Sequence, residues 1–411
     1  MGAVLTAPLG AIGSCAGSCA GTFCAAGCCR LAFSGEVTSG QAVRCVLIWL
    51  QCFTVATAIL TAATAERWLP WVCSNLAEIS VHGGICECAG DVDSSGCWKD
   101  QSIYRAQAGG TLVYLLLLLL YVSGCKDGAS RSYSIGKFMA VAVLWLVGLL
   151  LPNYIYTSYG SFVTVAAAVF LVVQSVLLID FAYTWNEVWH TKAEDARRRD
   201  IFGHGYRNWI IAILVASALL LVGAGATTGL LLKLYVSGRA MVISAMVLAM
   251  VCLVVSITEW CEHGNLLASC VVALYIAWLL SETFAVMPNT MIALFPSWVG
   301  LLICSLSLVV LMQGISFDPS ASSRPAAAPL SSASIESGSA AASEGTGGDT
   351  DRWGFALHCC VHVAATMYIA AALAPSRGTA SFISHAVAVF MCLILYAWSL
   401  VAPKVLTNRQ F

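Results

Sequence analysis

Charge is what this sequence has least of. Only 10% of its 411 residues are Asp, Glu, Lys or Arg, against roughly 25% in a soluble chain, so most of the length cannot be meeting water. A formal net charge of −1 supplies no basic surface for phosphate backbones, which excludes nucleic acid as a partner. The spacings of familiar catalysis are missing too. None of the seven histidines falls into His-Glu-x-x-His, and the Gly-rich run Gly223–Gly229 is followed by Leu230 where a phosphate-binding loop has Lys and then Ser or Thr. Close packing of helices through small residues explains that run better. Asp127-Gly128-Ala129-Ser130-Arg131 only brushes the Asp-Gly-x-x-Ala-Arg pattern of a phosphatidyl-transferring synthase, and no Asp follows before Asp180. These absences point away from an enzyme, with no cofactor and no metal expected. No positive charge precedes Arg30, so the basic opening of a conventional signal peptide is lacking. No internal repeat is evident.

What is present is apolar length. Apolar residues make up 59% of the chain and the mean hydropathy is +0.84. A bilayer core of ~30 Å takes about 20 helical residues at ~1.5 Å each. By that rule an all-α polytopic membrane protein is expected, with ten spans near 45–64, 104–122, 135–151, 162–190, 208–232, 241–257, 265–283, 298–313, 354–373 and 383–402. The sixth and eighth are short enough to be tilted or partly re-entrant. With the N-terminus cytosolic, the inside segments hold 14 of the 20 Lys and Arg, as the positive-inside rule asks. An even span count then places both termini in the cytosol.

The remaining segments are of three kinds. Residues 1–44 form a Cys-rich cytosolic or membrane-associated stretch; its start fits a myristoylation pattern at Gly2, and Cys15, Cys19, Cys24, Cys28 and Cys29 are candidates for S-acylation. An eleventh, weakly apolar span there is a further reading. The loop 65–103, within the eight-span segment 45–313, is acidic and holds Cys73, Cys86, Cys88 and Cys97. On the outer, oxidising side these suit two disulfides with three pairings open; a metal site on Cys86-x-Cys88 lacks a partner at a zinc spacing. Residues 314–352 are mostly Ser, Ala, Gly and Pro and are expected to be a disordered cytosolic loop, followed by two final spans and a short tail in 353–411.

The fourth span carries the most chemistry. Asp180, Thr184 and Glu187 stand at i, i+4 and i+7 and so share one helix face. A carboxylate near hydrocarbon is costly and usually faces protein or water. One reading is a polar stripe that admits lipid headgroups or water to the bundle. The plainer one is a helix end, with Trp185 and Trp189 as interfacial aromatics and Asn186 and Glu187 among headgroups. Ser281 and Glu282, closing the seventh span, offer an outer-leaflet headgroup contact, against the plainer reading of an exposed helix end.

Several stretches resemble one family. Met1-Gly2-Ala3-Val4-Leu5 with its Cys-rich sequel, the run Asp180-Phe181-Ala182-Tyr183-Thr184-Trp185-Asn186-Glu187-Val188-Trp189, and the tail from Leu395 to Arg409 are similar to the start, the fourth-span signature and the end of serine incorporators (Serinc). Lys404 and the stretch from Asp351 to Phe355 depart from that pattern. So does Pro288-Asn289-Thr290 in place of a Cys-Asn-Pro element, and a disulfide there is not carried over. The resemblance implies two helical bundles joined by a long tilted helix, homo-oligomers, and phospholipid handling. Family members are associated with incorporation of serine into phosphatidylserine and sphingolipids, and with energy-independent lipid scrambling. Membrane phospholipids and lipid-synthesis enzymes are the implied partners, and the endomembrane system or plasma membrane the implied location. The rival readings are a secondary transporter of a small polar solute such as serine, whose site would sit at a broken helix near Pro152-Asn153, and a scaffold acting through the disordered loop.

Overall fold

The computed structural model describes residues 39–75, 86, 94–123, 134–199, 204–258, 265–287, 294–312, 347–374 and 378–405. Among them are ten α-helices and no strand: α1 (Ser39–Asn75), α2 (Ser94–Val122), α3 (Ser134–Leu150), α4 (Asn153–Arg199), α5 (His204–Leu234), α6 (Arg239–Ser256), α7 (Leu266–Ala285), α8 (Ser297–Met312), α9 (Gly347–Leu373) and α10 (Thr379–Val405). Each expected span corresponds to one of them. Helices satisfy every interior backbone group within themselves, which hydrocarbon demands. Eight are long and apolar enough to cross a membrane. The sixth is among these, because a 3-10 turn, Val236–Gly238, extends its apolar stretch to 21 residues, Val236–Ser256. The short ones are α3 and α8, with 17 and 16 residues. The N-terminal segment before residue 39, and with it Gly2, Cys15, Cys19, Cys24, Cys28 and Cys29, lies outside the described residues. So do Cys88 and positions 313–346.

The chain divides into two compact units, Met1–Ala167 with Ala356–Pro375, and Ala168–Phe355 with Ser376–Phe411. Helix α4 runs from the first into the second. At ~1.5 Å per residue its 47 residues extend about 70 Å, more than twice the bilayer core.

In the first unit α2 packs against α1 and α3. A charge holds the corner where α3 ends. Leu151 and Pro152 break the helix, as Pro does through its missing N–H and its effect on the preceding residue. The carbonyls freed there are taken by Arg105. Its Nε donates to Gly148 O (3.0 Å) and its Nη2 to Leu151 O (3.1 Å) and Asn153 Oδ1 (2.7 Å). Its Nη1 donates to Gln101 Oε1 (2.6 Å) and Gln101 O (3.3 Å), and the guanidinium lies 4.3 Å from the Tyr156 ring centroid. Arg105 is fully buried within α2.

At the Asn75 end of α1, Ala65, Leu69 and Trp98 form a small core with Trp68, Cys86, Cys97 and Leu149. Cys73 and Cys86 are disulfide-bonded, which settles one pairing left open by the sequence. Cys97 and Cys45 are also disulfide-bonded. The bond at Cys45 was not foreseen, because Cys45 sits in an apolar run remote from the loop cluster. The Lys99–Glu66 ion pair nearby (2.8 Å) is half exposed at both ends and contributes about 1 kcal/mol at most. The Cys73–Cys86 bond matters more. Closing a loop of this length is worth about 3 kcal/mol in the chain-entropy treatment. Cys73→Ser is therefore expected to lower thermal stability clearly, and a reductant should destabilise the variant by less than it destabilises the wild type, because the bonds at Cys45 and Cys97 remain to be reduced in both.

In the second unit α7 is the centre, flanked by α5, α6 and α10. Asn265 caps it, its side chain accepting from Leu267 N (2.9 Å). Ala273 and Ala277 of α7 pack on Ala224 of α5, so the small-residue run does give close helix approach, although a Cβ on Gly225 or Gly229 would meet nothing. Ser256, Ser269 and Tyr396 link α6, α7 and α10 through hydrogen bonds of 2.5 and 2.6 Å.

Candidate functional site

The polar residues of α4 stand on its second-unit portion. Asp180, Thr184, Trp185 and Asn186 are half-buried and Glu187 is exposed. The i, i+4, i+7 stripe is therefore half-buried at Asp180 and Thr184 and exposed at Glu187. Aromatic rings line this end of the helix: Phe181–Trp185, Trp185–Trp189 and Trp189–Trp209 ring centroids are 5.8, 5.3 and 5.9 Å apart. Beyond them, Lys192 lies 5.5 Å from the Trp209 ring and Arg197 5.7 Å from the Tyr206 ring. Rings with cations at their faces suit the headgroup layer, where one end is apolar and the other wet. Half-burial of Asp180 is what an interfacial end alone does not require.

The second pair is corrected by the structure. Ser281 is not at an exposed helix end: it is 2% exposed and donates to Trp278 O (2.7 Å). Glu282 is half-buried. The physical reason is the central place of α7, the most enclosed of the candidate spans. Its apolar residues surround the helix, so sequence periodicity carries no sign of which face is covered.

An apolar groove of about 520 Å³ runs between α5 and α6, lined by Thr228, Leu232, Ile243, Met246, Met250 and Val254 among others. Its wall has the chemistry of an acyl chain and none of the convergent polar groups that a solute site needs. The sequence reading missed it because apolar residues facing lipid and apolar residues facing a groove look alike.

A family model described as serine incorporator (Serinc) matches residues 14–298. The chain belongs to the serine incorporator family. Among this family's members, serine incorporator 3 of Bos taurus is 26% identical over 374 residues, covering 72% of this chain and 76% of that protein. Probable serine incorporators of Dictyostelium discoideum and Monosiga brevicollis are 29% and 26% identical over 192 and 211 residues. Those alignments cover 43% and 47% of this chain, and less than half of each relative's length, 45% and 42%. As a serine incorporator with eight helices able to cross a bilayer, the chain is an integral membrane protein. Its fourth-span stripe and aromatic ladder lie inside the matched region.

Proposed function

We propose that this serine incorporator moves phospholipids between leaflets without energy input, and by redistributing lipid supports incorporation of serine into phosphatidylserine and sphingolipids. In this reading the protein forms no lipid bond itself. Its partners are membrane phospholipids, further copies of the chain and lipid-synthesis enzymes, in the endomembrane system or plasma membrane with both termini cytosolic. The observation that carries the proposal is the stripe on α4, where a carboxylate at Asp180 is only half-buried and the face opens toward Glu187. A carboxylate at the bilayer centre costs about 2.5–3.5 kcal/mol on insertion scales, and a polar strip along a helix offers headgroups a lower-cost passage while the acyl chains stay in hydrocarbon. The rival transporter reading is weakened at its best position. The broken backbone after Leu150 is engaged by Arg105, so it is not free to hold a solute.

In reconstituted vesicles Asp180→Ala should slow headgroup exchange several-fold while Asp180→Asn, which keeps the hydrogen-bonding shape, falls between. Equal rates in all three folded proteins would remove Asp180 from the path.

A further inference from the structure

Of the six first-unit side chains that leave a buried polar atom without a hydrogen bond among the described residues, Gln51, Gln107 and His362 are placed in one seam by the contacts around them. Gln51 is 3% exposed, Gln107 0% and His362 1%. Gln51 Nε2, Gln107 Oε1 and His362 Nδ1 make no hydrogen bond among the described residues. Thr366 Oγ1 lies 3.0 Å from Gln51 Oε1 and 2.7 Å from His362 O, one turn back on α9, and its single proton serves one of these acceptors at a time. Tyr114 stacks on the His362 ring at 5.1 Å, and its hydroxyl reaches Leu47 O, one turn before Gln51 on α1 (2.9 Å). Thr54, one turn after Gln51, offers its carbonyl to Gln107 Nε2 at 3.5 Å. The seam thus runs from His362 past Gln51 to Gln107, with steps of about one helical turn.

The orphaned atoms do not vanish on reassigning the amides. Gln107 faces the Thr54 carbonyl, so its NH₂ must point there and its oxygen is left over. Gln51 meets a single hydroxyl, so whichever amide atom faces Thr366, the other is unmatched. Each unmatched group away from water costs roughly 1–3 kcal/mol or more, and nothing in hydrocarbon can answer it.

We infer that this seam binds water: a short file of internal water molecules held by Gln51, Gln107 and His362 within the membrane-spanning part of the first unit. Water matches the set, being donor to the Gln107 oxygen, acceptor from the Gln51 amide and either to the imidazole. The helices also meet too closely for a larger polar ligand. A Cβ on Gly110 would lie 2.8 Å from Thr54 Cγ2 and 3.3 Å from Thr366 Cγ2. The inference is independent of the lipid reading, since it rests on the first unit alone.

The test is hydroxyl-radical labelling of the full chain in lipid nanodiscs by short X-ray pulses, which create radicals from bound water where it sits, compared with radicals generated in bulk solution. His385 is the internal standard, also buried (8% exposed) but with its Nδ1 at 2.9 Å from Ser381 O. His362 should be oxidised several-fold faster than His385 by the X-ray pulse and no faster by bulk radicals. Gln51→Leu with Gln107→Leu, verified as folded, should bring His362 down to the rate of His385. Equal X-ray rates at the two histidines in the wild type overturn the water file without reference to any variant. So does equally fast labelling of His362 by bulk radicals, which would mean that the bundle opens, and so does unchanged labelling in the folded double variant.

Discussion

Arg105→Met is expected to be among the most destabilising single changes in the chain, at about 3 kcal/mol or more. Methionine fills a similar volume, so the loss isolates the polar contacts. It removes the donors to Leu151 O, Asn153 Oδ1 and Gln101 Oε1, three part-buried hydrogen bonds to a charged group, each worth roughly 1.5–3 kcal/mol. Gly148 O keeps the Tyr156 hydroxyl at 3.2 Å, so that acceptor is the least affected. Arg105→Lys should rescue little: an ammonium is a point donor and cannot span acceptors set around a planar fork. Arg239→Ala provides the comparison, since Arg239 is exposed and makes a hydrogen bond to Leu232 O (2.9 Å); about 1 kcal/mol is expected there. Thermal unfolding in detergent, followed by size-exclusion fluorescence, checks the series. Equal melting of Arg105→Met and wild type would remove Arg105 from its place as the clasp of the α3–α4 corner.

Gly238→Ala should be the corresponding lesion in the second unit. A Cβ there would lie 2.1 Å from Phe284 Cε1 and 2.4 Å from Cζ. The ring has nowhere to go: Phe284 is fully buried, stacked on Tyr235 at 4.9 Å and tilted against Phe382 at 6.1 Å. Forcing extra volume into such a contact costs about 1–3 kcal/mol. Phe284→Leu alone should also destabilise, through lost aromatic packing. The double variant should be less damaged than the two losses added, because the shorter side chain vacates the space the new methyl needs. Strict additivity would contradict the packing account.

The helices were legible because hydrocarbon leaves the chain few choices. A run such as Thr111-Leu112-Val113-Tyr114 into Leu115–Leu120 has the length and apolarity of a span whatever surrounds it. What surrounds it was not legible. Leu117 is buried and Leu116 half exposed, yet both are leucines, because protein and lipid are equally apolar neighbours. For the same reason α7 gave no sign of being central, and Ser281 read as a helix end. The role of Arg105 was not legible either, because two of its acceptors are the Gly148 and Leu151 carbonyls, whose availability depends on where α3 stops. Pro152 was the one local signal of that break. At the candidate site the sequence supplied Asp180, Thr184 and Glu187 by their spacing and Trp185 and Trp189 by their type. The gradation from half-buried Asp180 to exposed Glu187 needed the neighbouring helices in place.

The most direct test of lipid scrambling uses purified wild-type protein in vesicles with headgroup-labelled phospholipid in both leaflets and an impermeant quencher outside. Without protein, fluorescence should settle near half, because only the outer leaflet is reached. With protein present, without ATP and without leakage, it should fall well below that level, as inner-leaflet lipid arrives at the surface. Vesicles holding verified, folded protein that stop at the protein-free level would contradict the account.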